Sequence, residues 1–187
     1  MRSSISYRQY VVLSGRRTES QNLAAYRNAA VIYAKVGEFD FVLVGLHLKA
    51  GRGSTNRSLR DEQLEIISGY IQGVVMAGEK DVLVIGDYNM IPGQDADNFD
   101  TLNADGSLRF VSSEELADSF THISNGDPGN LLDGFGFTDI DEGEYQNGSI
   151  EIVQMHTLLG FSLSEYASKV TDHLPVVAEF NTDVDHD

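Results

Sequence analysis

Four short segments of the chain place polar side chains at the end of an apolar run. They are Leu46-His47-Leu48-Lys49-Ala50-Gly51, Gly86-Asp87-Tyr88-Asn89, Leu131-Leu132-Asp133-Gly134 and Thr171-Asp172-His173-Leu174-Pro175. Strand ends are where a rigid scaffold presents reactive groups to a cleft. Two histidines, three aspartates and an asparagine form a hard, oxygen-rich set with imidazoles. Such a set suits Mg²⁺ or Mn²⁺ together with acid/base work on a phosphate ester. Taken singly, each residue has a plain structural explanation. His47 is a strand histidine, Asp87 and Asp133 sit where turns favour Asp, and Asp172-His173 precedes a fixed Pro175. Four independent turns are a poor explanation of the whole set in this order.

The elements that must position these residues are legible from periodicity. Tyr10–Ser14, Ala29–Val36, Phe41–Leu48 and Asp81–Gly86 read as strands rich in β-branched residues. Between the last two the period changes. Leu59, Gln63, Leu64, Ile67, Ile71, Val74 and Val75 recur on one helical face, which predicts a helix over 56–76 with Gly78 as its stop. Ser58 and Asp61 are candidates for its capping box. The Asp-rich stretch 93–106 reads as a loop that lacks the spacing of a calcium-binding EF-hand. Ser112 is the expected cap of a short helix over 114–119. Further strands are expected near 131–135, 149–154 and 174–180. No repeat or linker divides the chain, so residues 1–187 are expected to form one domain.

Composition narrows the classes. The 187 residues, 41% of them hydrophobic, are enough for a sizeable core. The chain has no cysteine, which excludes disulfides and thiolate metal sites. Residues 1–10 hold no apolar signal-peptide core, and the compartment stays open. No apolar run is long enough to span a membrane. The formal net charge of −16 excludes binding of nucleic acid by a broadly basic surface. Contact with a polyanion must be local and bridged by a cation. Arg52, Arg57 and Arg60 cluster after the third strand.

The order His47, Gly86-Asp87-Tyr88-Asn89, Asp133, Thr171-Asp172-His173-Leu174-Pro175-Val176 resembles the motif series of the endonuclease/exonuclease/phosphatase superfamily, deoxyribonuclease I-like members in particular. The resemblance runs from about Ala29 to Phe180. It implies an α/β (α+β) fold in which two mixed β-sheets pack face to face with helices outside, a four-layer sandwich. It implies metal-dependent hydrolysis of phosphodiester bonds with Mg²⁺ or Mn²⁺, and DNA as the first candidate substrate. On matching positions, His173 would be the acid/base or phosphate-contacting imidazole and Asp133 would orient it. Asp87 would align the attacking water or bind metal. Asn89 would hold the phosphate or the nucleophile, and His47 would stabilise charge on the phosphoryl oxygens. Asp172 would hold the ion, and Arg57 would reach a substrate phosphate. The alternatives are a phosphatase, a sphingomyelinase-like phosphodiesterase, or a catalytically impaired binding module that keeps the scaffold.

Two departures stand against the family pattern. An Asn at the end of an early strand and a Glu metal ligand are expected well upstream of Asp87, and Glu19, after Gly15-Arg16-Arg17, is a poor match. The expectation is therefore an N-terminally incomplete domain covering two-thirds to three-quarters of the fold. Its metal affinity would be weakened, and an uncovered edge would favour self-association. In addition, Gly134 stands where many relatives carry His, which is expected to alter the fit of substrate.

Overall fold

In the computed structural model, residues 5–13, 27–138 and 143–183 are described, the first group by backbone alone. A six-stranded mixed sheet dominates. Its strands are β1 (Ile5–Leu13), β2 (Ala29–Val36), β3 (Phe39–His47), β4 (Val82–Asp87), β5 (Leu108–Arg109) and a later strand at Asp133–Thr138. The order across the sheet is β1-β2-β3-β4, then Asp133–Thr138, then β5. Only β3 and β4 run parallel. Their crossover is α1 (Ser54–Met76), a connection that a parallel pair requires.

Side chains of β4 alternate between the two faces. Val82 and Val84 pack with Val31, Val42 and Val44 beneath Leu64, Ile67, Ile71 and Val74 of α1. Leu83 and Ile85 point the other way, into a second core with Phe39, Phe137, Tyr145, Ile150 and Phe180. Covering that face is a two-stranded antiparallel sheet of residues 151–152 and 176–177. The architecture is thus a large mixed sheet faced by a second sheet, with helices, as the resemblance implies; among the described residues the second sheet has two short strands, and a separate two-stranded ribbon lies apart from both.

The remaining elements are small. They are α2 (Ala96–Leu102), α3 (Val111–Glu115), the ribbon β6 (Ile123–Ser124) and β7 (Asp127–Pro128), then β8 (Asp133–Thr138), β9 (Glu151–Ile152), α4 (Met155–Leu158), α5 (Leu163–Lys169) and β10 (Val176–Val177). A third core of Ile123, Tyr166 and Leu174 sits under the ribbon.

Several sequence expectations are corrected. The helix α1 begins at Ser54 behind Gly53 and has no side-chain cap. Asp61 instead accepts hydrogen bonds from Asn98 and Thr101. The stretch read as a loop contains α2, and Arg57 and Arg60 of α1 bind Asp95, which precedes it. Ser112 lies within α3, not at its cap, and exchanges hydrogen bonds with the Phe135 backbone. The clear capping box is at α5, where the Ser162 hydroxyl and the Glu165 backbone and carboxylate are paired. Glu165 is thereby held down at about 2 by the Ser162 backbone and by Lys169. Ser14 and Glu19 lie outside the described residues.

Candidate active site

Register brings three of the expected residues together. His47 ends β3 and pairs across the sheet with Asp87 at the end of β4. Asp87 pairs in turn with Asp133 at the start of β8. Register partners in neighbouring strands point to the same face, so the three side chains form one transverse row. Gly86 makes this row possible. It has φ 131°, and a Cβ there would stand 2.1 Å from the Leu46 carbonyl oxygen. Glycine escapes that conflict and lets the chain turn Asp87 into the row.

Asn89 also adopts a left-handed backbone, φ 49°. Its backbone N–H donates to Asp87 Oδ1 at 2.8 Å, and its amide Nδ2 donates to Asp87 Oδ2 at 2.8 Å. The same amide reaches the Leu48 carbonyl at 3.2 Å. Asn89 therefore fixes the Asp87 carboxylate against the end of β3. His47 Nε2 stands 3.3 Å from Asp87 Oδ2.

His173 closes the row from the far side. Its Nδ1 donates to Asp133 Oδ2 at 2.7 Å. Buried Thr121 holds the backbone that carries Asp133, its hydroxyl accepting from the N–H groups of Leu132 and Asp133 at 2.9 and 3.0 Å. The Thr121 carbonyl accepts from Leu174 N–H at 2.7 Å, so one threonine holds both partners of the pair. His47, Asp87, Asn89, Asp133, Asp172 and His173 all line a cleft of about 560 Å³.

Carboxylates and imidazoles shift one another in this cleft. Burial, with Asp133 nearby, pushes the Asp87 carboxyl above its ordinary value, against the Asn89 backbone hydrogen bond and the two imidazoles. The Asp133 hydrogen bond raises His173 above 6.5, against the cost of burial. Two sets of side chains offer ligand atoms within 4.8 Å of one another: Asp87, Asp133 and His173, and His122, Asp172 and His173. The two carboxylates expected to share an ion, Asp87 and Asp172, thus fall in different sets.

Two expectations meet a different environment. Arg57 does not line the cleft. Its Nε donates to Asp95 at 2.9 Å and its Nη2 to the Gln94 carbonyl. Gly134 faces α3 and not the cleft, because a Cβ there would lie 2.0 Å from Ser112 Oγ. Its missing side chain makes room for α3. His122 joins the site without belonging to any of the four segments. It lines the cleft, bridges to His173 through the backbone and lies 5.2 Å from it between ring centroids. Only its place after Thr121 hinted at this, and no spacing rule exposes it.

No family model matches the chain. The human endonuclease/exonuclease/phosphatase family domain-containing protein 1 is 33% identical over 98 residues, which are 50% of this chain and 16% of that protein. The endonuclease/exonuclease/phosphatase family protein from Bacteroides thetaiotaomicron superposes with a TM-score of 0.64 at 14% identity, covering 94% of this chain and 64% of that one. The 3' phosphatase NExo from Neisseria, solved with a product DNA hairpin, gives 0.60 at 14% identity, covering 81% and 64%. The human nocturnin catalytic domain with bound sulfate gives 0.60 at 17% identity, covering 95% and 60%. The chain spans less than two-thirds of the length of each of these proteins. The chain shares its fold with these solved structures.

Proposed function

We propose that the cleft hydrolyses phosphodiester bonds with the help of a divalent cation, with DNA as the first substrate class. The observation that carries this reading is the row His47–Asp87–Asp133, finished by His173 at 2.7 Å from Asp133. Names of the structural neighbours, a phosphatase solved with DNA among them, support the class.

A phosphodiester is shielded by its own negative charge, so attack on phosphorus needs cationic groups aimed at the non-bridging oxygens. The donor set fits a hard divalent ion. Asp87 and Asp133 are neighbouring carboxylates in a half-buried row, and Asp172 faces the same cleft. These residues would hold Mg²⁺ or Mn²⁺, which when bound neutralises carboxylate and phosphate charge and polarises the phosphoryl group. The chain's own residues do the rest. Asp87, oriented by Asn89, accepts a proton from water or aligns it. His173, whose protonated form the Asp133 hydrogen bond favours, donates to a phosphoryl oxygen or to the leaving oxygen. His47 stands beside the same carboxylate and stabilises the charge that develops on phosphorus oxygens.

The test uses the whole chain with plasmid DNA, a phosphomonoester and sphingomyelin vesicles, each with Mg²⁺, with Mn²⁺ and with chelator. Cleavage of DNA that needs the cation and is abolished by chelator is expected. Preference for the monoester or the lipid moves the substrate class. Chelator-insensitive turnover, or none with any substrate, overturns the hydrolase reading in favour of a binding module.

A further inference from the structure

The two ligand sets of the cleft differ in chemistry. One offers two carboxylates and an imidazole, the other two imidazoles and one carboxylate. Magnesium seeks oxygen and retains water, whereas imidazole nitrogen favours zinc and related transition ions. From the second set we infer that His122, Asp172 and His173 form a separate site for a borderline transition ion such as Zn²⁺, sharing His173 with the Mg²⁺-type set.

The geometry is close to what such an ion needs. His122 Nε2 lies 3.9 Å from Asp172 Oδ2. Two bonds of about 2.1 Å meeting at a tetrahedral angle set their donor atoms about 3.4 Å apart. The third donor is within 4.8 Å of both, so closure asks for shifts of no more than about 1.4 Å, within reach of side-chain rotation. His173 gives up Nδ1 to Asp133, which leaves Nε2 as its ligand atom. A carboxylate behind a ligating histidine is the usual outer support of a metal-bound imidazole. The cleft admits the ion, since the Asp172 side chain is 61% exposed. The residues that carry His122 and His173 are anchored by Ile123 and Leu174, neighbours in the third core, so the two rings are held in place.

One feature limits affinity. Metal on Nε2 of His122 puts the ring proton on Nδ1, which is buried without a hydrogen-bond partner among the described residues. A buried donor left unpaired weakens the complex. The site is therefore suited to reversible occupation rather than a permanent structural ion. Resting on the role proposed for His173, zinc bound here inhibits hydrolysis, because it occupies the nitrogen that faces substrate.

The experiment is a Zn²⁺ titration of the whole chain by calorimetry, with imidazole ¹⁵N spectra recorded in parallel and no Mg²⁺ present. One saturable site is expected, with the ring nitrogens of His122 and His173 shifted and those of His47 unmoved. His122→Gln removes a ligand and should cost more than the roughly 10- to 100-fold that loss of an outer partner costs, while Asp133→Asn falls within that range. Asp172→Asn, at an exposed side chain, gives a second ligand variant whose fold is not in question. Zinc that shifts His47 and spares His122 overturns the site. So does wild-type affinity in both ligand variants, or no saturable binding at all. Zinc that binds at His122 without inhibiting hydrolysis overturns the role of His173 and leaves the site standing.

Discussion

Two polar clusters among the described residues, one buried between α1 and α2 and one lining the open cleft, are built on opposite principles. Between α1 and α2, Arg60 is 1% exposed. It donates to Asn98 Oδ1, Asp95 Oδ1 and the carbonyls of Lys49 and Gly51. Asp95 is satisfied in turn by Arg57, Arg60 and the Ile91 N–H. In the cleft, two carboxylates share a row, Asp87 is pushed up by burial, and one nitrogen of His122 has no partner among the described residues. A buried charge network that is fully paired organises structure; one left short of cation invites a ligand. The first cluster still serves the second, because Arg60 fixes the two carbonyls just beyond His47.

The contrast can be broken most strongly at Arg60. Arg60→Met leaves Asp95 and two loop carbonyls short of donors. Removing one partner of a buried pair costs about 3–5 kcal/mol, or a fall in Tm of roughly 10 °C in a chain this size. A melt that matches wild type would remove the structural role of the network. Asp87→Asn should act with the opposite sign. A carboxylate whose folded value is raised makes folding less favourable as pH rises through that range, since the folded state binds more protons there. The amide variant should melt a few degrees higher at neutral pH and lose hydrolysis, and a lower Tm would show that the row is not strained by charge.

At His173 the sign reverses again. Its raised value means stability that is full below about 6.5 and lost as pH climbs through the folded value. Asp133→Asn should lower the His173 titration midpoint, read by NMR, and abolish this pH-dependent part of stability. An unshifted midpoint would deny the pairing its electrostatic role. The smallest effect is expected at Arg57, whose side chain is half exposed. Arg57→Ala should change stability by less than about 1 kcal/mol and leave turnover within error. A large rise in KM would return Arg57 to the substrate.

Much of this was legible in the sequence where the signal is local. The strands Ala29–Val36, Phe39–His47 and Val82–Asp87 and the long helix lie within two residues of the bounds expected from apolar β-branched runs and one period-3.6 stretch. The row of His47, Asp87 and Asp133 could be foreseen only through the family motif, because register across three strands is a property of tertiary pairing. α4 buries none of its residues, and β9 and β10 have two residues each, too short for any periodicity. Arg57 and Arg60 look alike on paper, one turn apart on α1. Burial alone separates the arginine that builds the core from the one that faces solvent. His122 was hidden for the same reason: its neighbour His173 is 51 positions away in sequence and meets it only through a backbone bridge.

The central claim is that the cleft performs cation-dependent phosphoester hydrolysis through His173. The most direct measurement is the rate of DNA cleavage by wild type and His173→Ala at saturating Mg²⁺, on samples shown to melt alike, with chelator added and then back-titrated. The expected result is a loss of roughly 10²–10⁴-fold in the variant, with wild-type cleavage abolished by chelator and restored by Mg²⁺. Equal rates for the two proteins, or cleavage that ignores the chelator, would contradict it.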